Sequence, residues 1–341
     1  MKKFFYYVVA AMKAAQTAVI LAVSMTAILA VLVCACSSEA ALQRMMGTSA
    51  SSPVFYGCKT PVEGEVAFFF SREVTVSSMY FDPPMEAEII NQGETVAVRF
   101  NPAPPGLPGG SKVTADLLVE DKNRNTLNVL VSFRTRNNRM PELEINEIRA
   151  AYSKPRVEFV ELRTLGAGNL GALRLFAAYE KEEPIFEFPP VEVKKGEFIV
   201  VHTRSIEPGI VDETGANLAA SQGTDALSTA RDFWIPGALK LHDANAIYVV
   251  DQDDKILDGV LLVSGNYKWK DSITAAAAEM ARQGAWSGSE PGDAVNADGN
   301  TATRTICRDK SRKDSNSAAD WYITVTSGAT PGKDNNPGRY K

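Results

Sequence analysis

The run Leu143-Glu144-Ile145-Asn146-Glu147-Ile148-Arg149, followed by Arg156-Val157-Glu158-Phe159-Val160-Glu161-Leu162-Arg163, decides the fold class. Apolar and polar residues alternate in both runs. A period of two is that of a strand with one face in a core and one in water. Leu143 and Ile145 share a face of the first strand. In the second, Val157, Phe159 and Glu161 lie opposite Glu158, Val160 and Leu162. The natural reading is an antiparallel pair.

Further strands are predicted downstream at Leu173–Tyr179, Glu197–Thr203, Leu239–His242, Ala246–Val250 and Ile256–Val263. The last two flank Asp251-Gln252-Asp253-Asp254, a hairpin with an acidic turn. Calcium needs six to eight oxygens, and its usual loop has a glycine at position six and a closing glutamate. This turn has neither, so it reads as a solvated turn. Asp293 to Asn300 also spaces oxygens but lacks the closing glutamate. Two stretches read as insertions, near 205–236 and 264–300; within the second, the alanine-rich Ser272–Arg282 is a short helix candidate. Thr330-Pro331-Gly332 reads as a turn ending a last strand, Trp321–Thr326, with Trp321 as a core plug. This second unit spans 142–337. Glu147, Glu158 and Glu161 invite a paired-carboxylate reading, but on exposed strand faces they are expected to be solvated.

Upstream, from 54 to 138, β-branched and apolar runs recur at Glu65–Phe70, Val74–Tyr80, Thr95–Phe100, Val113–Glu120 and Thr126–Thr135. Asp121 to Asn125 is a polar hairpin turn. The Pro-rich run Pro102 to Gly110 cannot continue a ladder, because proline lacks the donor, and must be a long loop. Short strands at this spacing indicate an antiparallel sandwich.

The N-terminus has a different character. Lys2 and Lys3 precede an apolar run whose cleanest part is Ala18 to Val33. This is the pattern of a signal peptide, residues 1–35. The run ends Val33-Cys34-Ala35-Cys36-Ser37-Ser38 and resembles a bacterial lipobox, in the looser form found in spirochaetes. The resemblance implies lipidation of Cys36, since small Ala35 precedes it; Cys34 is the weaker acceptor, behind bulky Val33. Acyl chains on Cys36 would hold the protein to a membrane. An uncleaved anchor helix is the alternative. Residues 36–53, rich in Ser and Ala, read as a flexible tether. Export would permit a disulfide between Cys58 and Cys307; two buried free thiols are the other reading.

Hydrophobic residues make up 45% and charged residues 23% of the 341, so each unit can bury a core. Beyond the first 35 residues, the chain carries 33 basic and 41 acidic residues, a formal charge of −8. That balance repels phosphate backbones and makes nucleic acid an unexpected partner. DNA capture would require Arg304, Arg308, Lys310, Arg312 and Lys313 to share one face. Only His202 and His242 occur. Both read as structural or surface residues, which removes most general-base schemes and the usual zinc sites. There is no GxSxG, P-loop, HExxH or CxxC. Gly166 to Gly171 matches GxGxxG, but no helix is predicted after it. No catalytic residue, metal ligand or cofactor is assigned.

Two resemblances cover the body. The order F-S-R-E-V, V-R-F-N-P, G-S-K-V-T-A-D-L-L-V-E-D-K-N-R-N-T-L, V-S-F-R-T is similar to bacterial Ig-like modules, which act as spacers or adhesive units. Residues Ile145 to Ile148, Glu158 to Leu162, Trp321, Thr330, Pro331, Gly332 and Asn335 resemble, in order, a lamin-tail domain. That family implies an Ig-like sandwich and, in bacteria, an accessory role beside secreted nucleases or phosphoesterases. The expectation is therefore an all-β chain of two tandem Ig-like antiparallel sandwiches behind a lipoprotein signal peptide and tether. It would be a non-catalytic envelope protein facing the periplasm or the outside. Its lamin-tail-like domain would contact an envelope protein, glycan or polymer. The rival is an exported metal-dependent hydrolase, which needs Asp212, Glu213, Asp225, Asp293 and Asp298 to converge.

Overall fold

A computed structural model describes residues 51–100, 107–179, 182–266 and 268–341. The stretch read as a signal peptide, Cys34, Cys36, most of the stretch read as a tether, and residues 101–106 of the Pro-rich run lie outside the described residues.

The first body contains β1 (Phe55–Lys59), β2 (Glu65–Asp82), β3 (Ala87–Asn91), β4 (Gly93–Phe100), β5 (Lys112–Asp121) and β6 (Thr126–Arg134), all paired antiparallel. The runs Glu65–Phe70 and Val74–Tyr80 are one strand, β2, because Ser71, Arg72 and Glu73 stay extended instead of turning. Its 18 residues would reach about 60 Å if straight, at ~3.3 Å each. Yet Phe81, near its end, packs 5.4 Å from Phe100, which follows the partner of its first residue, Glu65. The strand therefore bends, with its register shift between Phe69 and Val74. Its first half pairs with β1 and β4, and its second half with β5. Two layers result, and Phe68, Phe81, Phe100 and Phe133 interlock between them.

The second body contains β7 (Leu143–Arg149), β8 (Phe159–Thr164), β9 (Gly168–Asn169), β10 (Arg174–Ala177), β11 (Phe186–Glu187), β12 (Glu192–Val193), β13 (Phe198–His202), β14 (Arg231–Trp234), β15 (Asn245–Val250), β16 (Ile256–Val263), β17 (Val295–Asn296), β18 (Ile306–Arg308) and β19 (Trp321–Ile323). One sheet runs β11-β10-β15-β16-β17 and the other β14-β13-β8-β7-β18-β19. Nearly all neighbours are antiparallel; β13/β14 and β16/β17 are parallel. The core lies between these sheets and includes Ile145, Ile148, Val160, Leu162, Leu175, Ile199, Ile247 and Val260. Burying each such side chain contributes about 1.5–3 kcal/mol. Helix α1 (Asp271–Arg282) buries Ile273, Ala276, Ala277 and Met280 against the outside of β15 and β16.

The expected strand Leu239–His242 does not form. His242 sits at φ +60°, which ends an extended run. The last strand is shorter than predicted, closing at Ile323. Cys58, on β1, and Cys307, buried in the second body, are both free, so the Cys58–Cys307 bridge is not formed. Each is held in a different body by its own strand.

Candidate functional site

The motif residues Asn146, Glu147, Glu161, Thr330, Gly332 and Asn335 meet in one place. Their convergence begins with a bulge. Ile145 pairs with Leu162 and Glu147 with Glu161, so β7 fits an extra residue, Asn146, where β8 has none. The bulge lets Ile145 and Ile148, three apart, both face the core. Glu147 and Glu161 then lie side by side on the outer face of the sheet.

That face was expected to be wet, and it is not. Glu147 and Glu161 are 0% exposed and Glu158 is 1%. The alternating pattern is real, but the chain folds back over it. The closing segment covers the pair: Thr330 N–H donates to Glu147 Oε1 at 3.0 Å, and Gly332 N–H to Glu161 Oε2 at 2.5 Å. Asn146 Nδ2 donates to Glu161, and the Thr305 hydroxyl donates to Glu147. Asn335 Nδ2 reaches Asn146 O at 3.1 Å and Arg308 O at 2.9 Å. The first insertion covers the neighbouring positions, where Phe159 and Val200 pack on Ala230. Burial pushes the Glu147 carboxyl up, and burial reinforced by the Glu147 charge pushes Glu161 well up. Burial and the same glutamate raise the Cys307 thiol well above its ordinary value. Glu158 stands apart, gripped by Arg204 through bonds of 2.6 Å at Nε and Nη2, with that guanidinium over the Tyr152 ring.

The other residues singled out in the sequence also hold structure. His202 Nε2 meets Asp232 Oδ1 at 2.8 Å, and its ring stacks on Trp234 at 3.8 Å, 1% exposed. His242 packs against Tyr179 and lines a hollow of about 350 Å³ with Glu158, Arg204 and Asp243. Trp321 is buried beneath the Arg308 guanidinium. Asp212 accepts from Trp234 N–H, Glu213 from Ser221 and Asp232, Asp225 from Arg149 and Val157, Asp293 from Ser289 and Glu290, and Asp298 from Ser264 and Gly265. These five do not converge. Among the described residues, no group of three or more His, Cys, Asp or Glu is placed to hold a metal. Three members of the basic run are paired locally, Arg308 with Asp258 and Asp314, Lys310 with Asp334, and Arg312 with Asp309, while Arg304 lies over Tyr340.

The acidic turn of the β15–β16 hairpin does not simply face solvent. It forms half of a joint between the two bodies. Arg136 binds Asp253 through two 2.6 Å bonds and Arg134 binds Glu187 across the joint, while Arg174 holds Asp254 within the second body. Asp253 holds the Arg136 pKa up, and Arg136 holds the Asp253 carboxyl down. Gln252 accepts from Asn137 N–H and donates to Thr135 O. The buried Asn137 side chain donates to Asn169 O at 2.9 Å and Gly171 O at 2.8 Å. Here the GxGxxG match finds its explanation. A Cβ on Gly168 would collide with Arg139 O, and one on Gly171 with Gly109 O. These glycines let two backbones touch. Sequence reasoning missed the joint, although the polar run Arg134-Thr135-Arg136-Asn137-Asn138-Arg139 signals it. The joint leaves a cleft of about 580 Å³ rimmed by Lys59, Arg134, Arg136, Arg174, Asp253 and Asp254. Its alternating charges can engage hydroxyls, amides and carboxylates.

Fold and joint define a class: a two-body, almost wholly β protein whose closing segment is clipped over its second body. The comparisons go one step further. The family model TP_1001_2nd, described as "protein second domain", matches residues 141–323, and the chain belongs to that family. An "Uncharacterized protein" of Treponema pallidum (strain Nichols) is 32% identical over 206 residues, covering 56% of this chain. The chain spans 50% of that relative's length. No solved structure matches. Among the described residues, no helix is long and apolar enough to cross a membrane.

Proposed function

We propose that this is a lipid-anchored, non-catalytic protein of the cell envelope that contacts a protein, glycan or envelope polymer through its second body. The observation that carries the reading is how the acids are used. Glu147, Glu161, Glu158, Asp225 and Asp232 are each committed to backbone donors or a buried partner that fixes the fold. The charged cleft at the joint is where a polar polymer would engage. The second body is read as lamin-tail-like, because the residues that carry that resemblance meet around Glu147 and Glu161. The first is read as an Ig-like spacer. Membrane attachment is assigned to Cys36.

Two measurements test the proposal. Radiolabelled palmitate should enter the full chain and be lost in Cys36→Ala; unlabelled wild type would remove the anchor. The full chain should retain an envelope fraction, and Arg174→Glu should weaken retention while leaving the melting temperature near that of wild type. Unchanged retention in that variant would displace the cleft as the contact site.

A further inference from the structure

Sheet edges are exposed templates for pairing, and proteins defend them with short strands, bulges, charges, proline or a covering segment. Most edges described in this chain are defended. Strands β9, β11, β12 and β17 have two residues each. The buried edge of β14 is capped by Asp212 and Glu213. β19 is capped by Gly338 to Tyr340. β1 and β3 have five residues each and a register shift.

β6 differs. It ends its sheet, runs for nine residues, and pairs with β5 without a register shift. It contains no proline or lysine, and its one charge, Arg134, lies at the end nearest the joint. The pairing parity is fixed at both ends: Asp121 N–H bonds Asn125 O, and Thr135 N–H bonds Ser111 O. Odd-numbered residues therefore turn their backbone groups to β5, and Thr126, Asn128, Leu130, Ser132 and Arg134 turn theirs outward. Leu130 is 74% exposed; Tyr80, in the same cross-strand row, is 69% exposed, and Leu118, diagonal to it, is 37%.

The sequence of the strand indicates what covers it. Thr126-Leu127-Asn128-Val129-Leu130-Val131-Ser132-Phe133-Arg134 is nearly palindromic in chemical class about Leu130. An antiparallel copy centred there sets Leu130 against Leu130 and Asn128 against Ser132. It also sets Val129 against Val131 and Leu127 against Phe133. Apolar meets apolar and amide meets hydroxyl, the isologous self-complementarity that a twofold axis requires. We propose that the β6 edge pairs with β6 of a second copy of this chain, register centred on Leu130, joining two first bodies through one continuous sheet. The seam is a single strand pair, so association is concentration-dependent.

The test uses the full chain in mild detergent. Sedimentation velocity should show a reversible monomer–dimer equilibrium. Leu130→Lys places like charges opposite each other and should weaken dimerisation by about tenfold or more. Its melting temperature should stay near that of wild type, because the side chain is already largely exposed. Under oxidation, Leu130→Cys should give an intermolecular disulfide, since opposed residues in a bonded pair have Cα atoms about 5.5 Å apart. Thr126→Cys should not, because it faces Arg134. A chain that stays monomeric, a dimer indifferent to Leu130→Lys, or equal cross-linking at 126 and 130 would each overturn the proposal.

Discussion

Glu147 and Glu161 stand directly opposite each other across β7 and β8, and neither is exposed to water. Both carboxyls are held above their ordinary values by burial, Glu161 also by its neighbour's charge. A group whose folded pKa is raised stabilises the fold fully below its unfolded value, near ~4.3, and loses that contribution as pH rises through the folded value. The closing turn at Thr330–Gly332 should therefore be anchored best in mild acid. Glu161→Gln removes one of the titrating groups. Melting temperatures measured from pH 5 to 9 should fall less steeply for the variant than for wild type, and equal slopes would contradict the argument.

The all-β class was legible because alternation survives burial. β7 and β16 form over the runs that their patterns predict, and α1 begins within one residue of its alanine-rich prediction. The wetness of a face was not legible. Alternation distinguishes two faces of a strand, but whether the polar one meets water depends on segments far away in the chain. Here the closing turn lies more than 160 residues from Glu161. The joint was hidden for a related reason. Gly168 and Gly171 matter through what approaches them, and composition does not reveal an approaching backbone. The motif residues were legible as a set but not as a buried cluster.

The buried ion pair Asp258–Arg308 offers a second test. Asp258 accepts from Ile145 N–H at 2.5 Å and from Arg308 Nη2 at 2.6 Å. Burial outweighs the guanidinium and lifts its carboxyl to about 6. Its contribution is thus complete below pH ~4 and declines as pH rises through about 6. Asp258→Ala leaves Arg308 with the half-exposed Asp314 as its remaining carboxylate partner, beside its bond to Ile145 O. Removing one side of a buried pair costs about 3–5 kcal/mol, so urea denaturation should show a loss of that order. A loss below about 1 kcal/mol would mean that Asp314 carries the pairing alone.

At the joint, Asn137 should outweigh the more conspicuous arginine. Arg136 and Asp253 are partly solvated, with side chains 24% and 60% exposed, so their coupling should be about 0.2–1 kcal/mol in a double-mutant cycle. Asn137 is buried and donates to two carbonyls from the second body. Asn137→Ala leaves both acceptors unsatisfied, at about 1–3 kcal/mol. It should also speed proteolytic cleavage between residues 134 and 141, whereas Arg136→Ala should leave the cleavage rate nearly unchanged.

Gly171→Ala separates contact from chemistry, because it changes no charge and removes no hydrogen-bonding group. Its new methyl would collide with Gly109 O and press on Gly110 and Pro190. Those atoms are all backbone atoms and cannot rotate aside, so the two bodies must shift apart. The shift would stretch the Asn137 bonds to Asn169 and Gly171 and the Asn169 bond to Gly109. Each body keeps its own core, so circular dichroism should still report a β protein. Small-angle scattering should show a larger radius of gyration, and thermal unfolding should split into two transitions. A single transition at the wild-type temperature would show that the joint absorbs a methyl, and that backbone proximity at Gly171 does not fasten the bodies together.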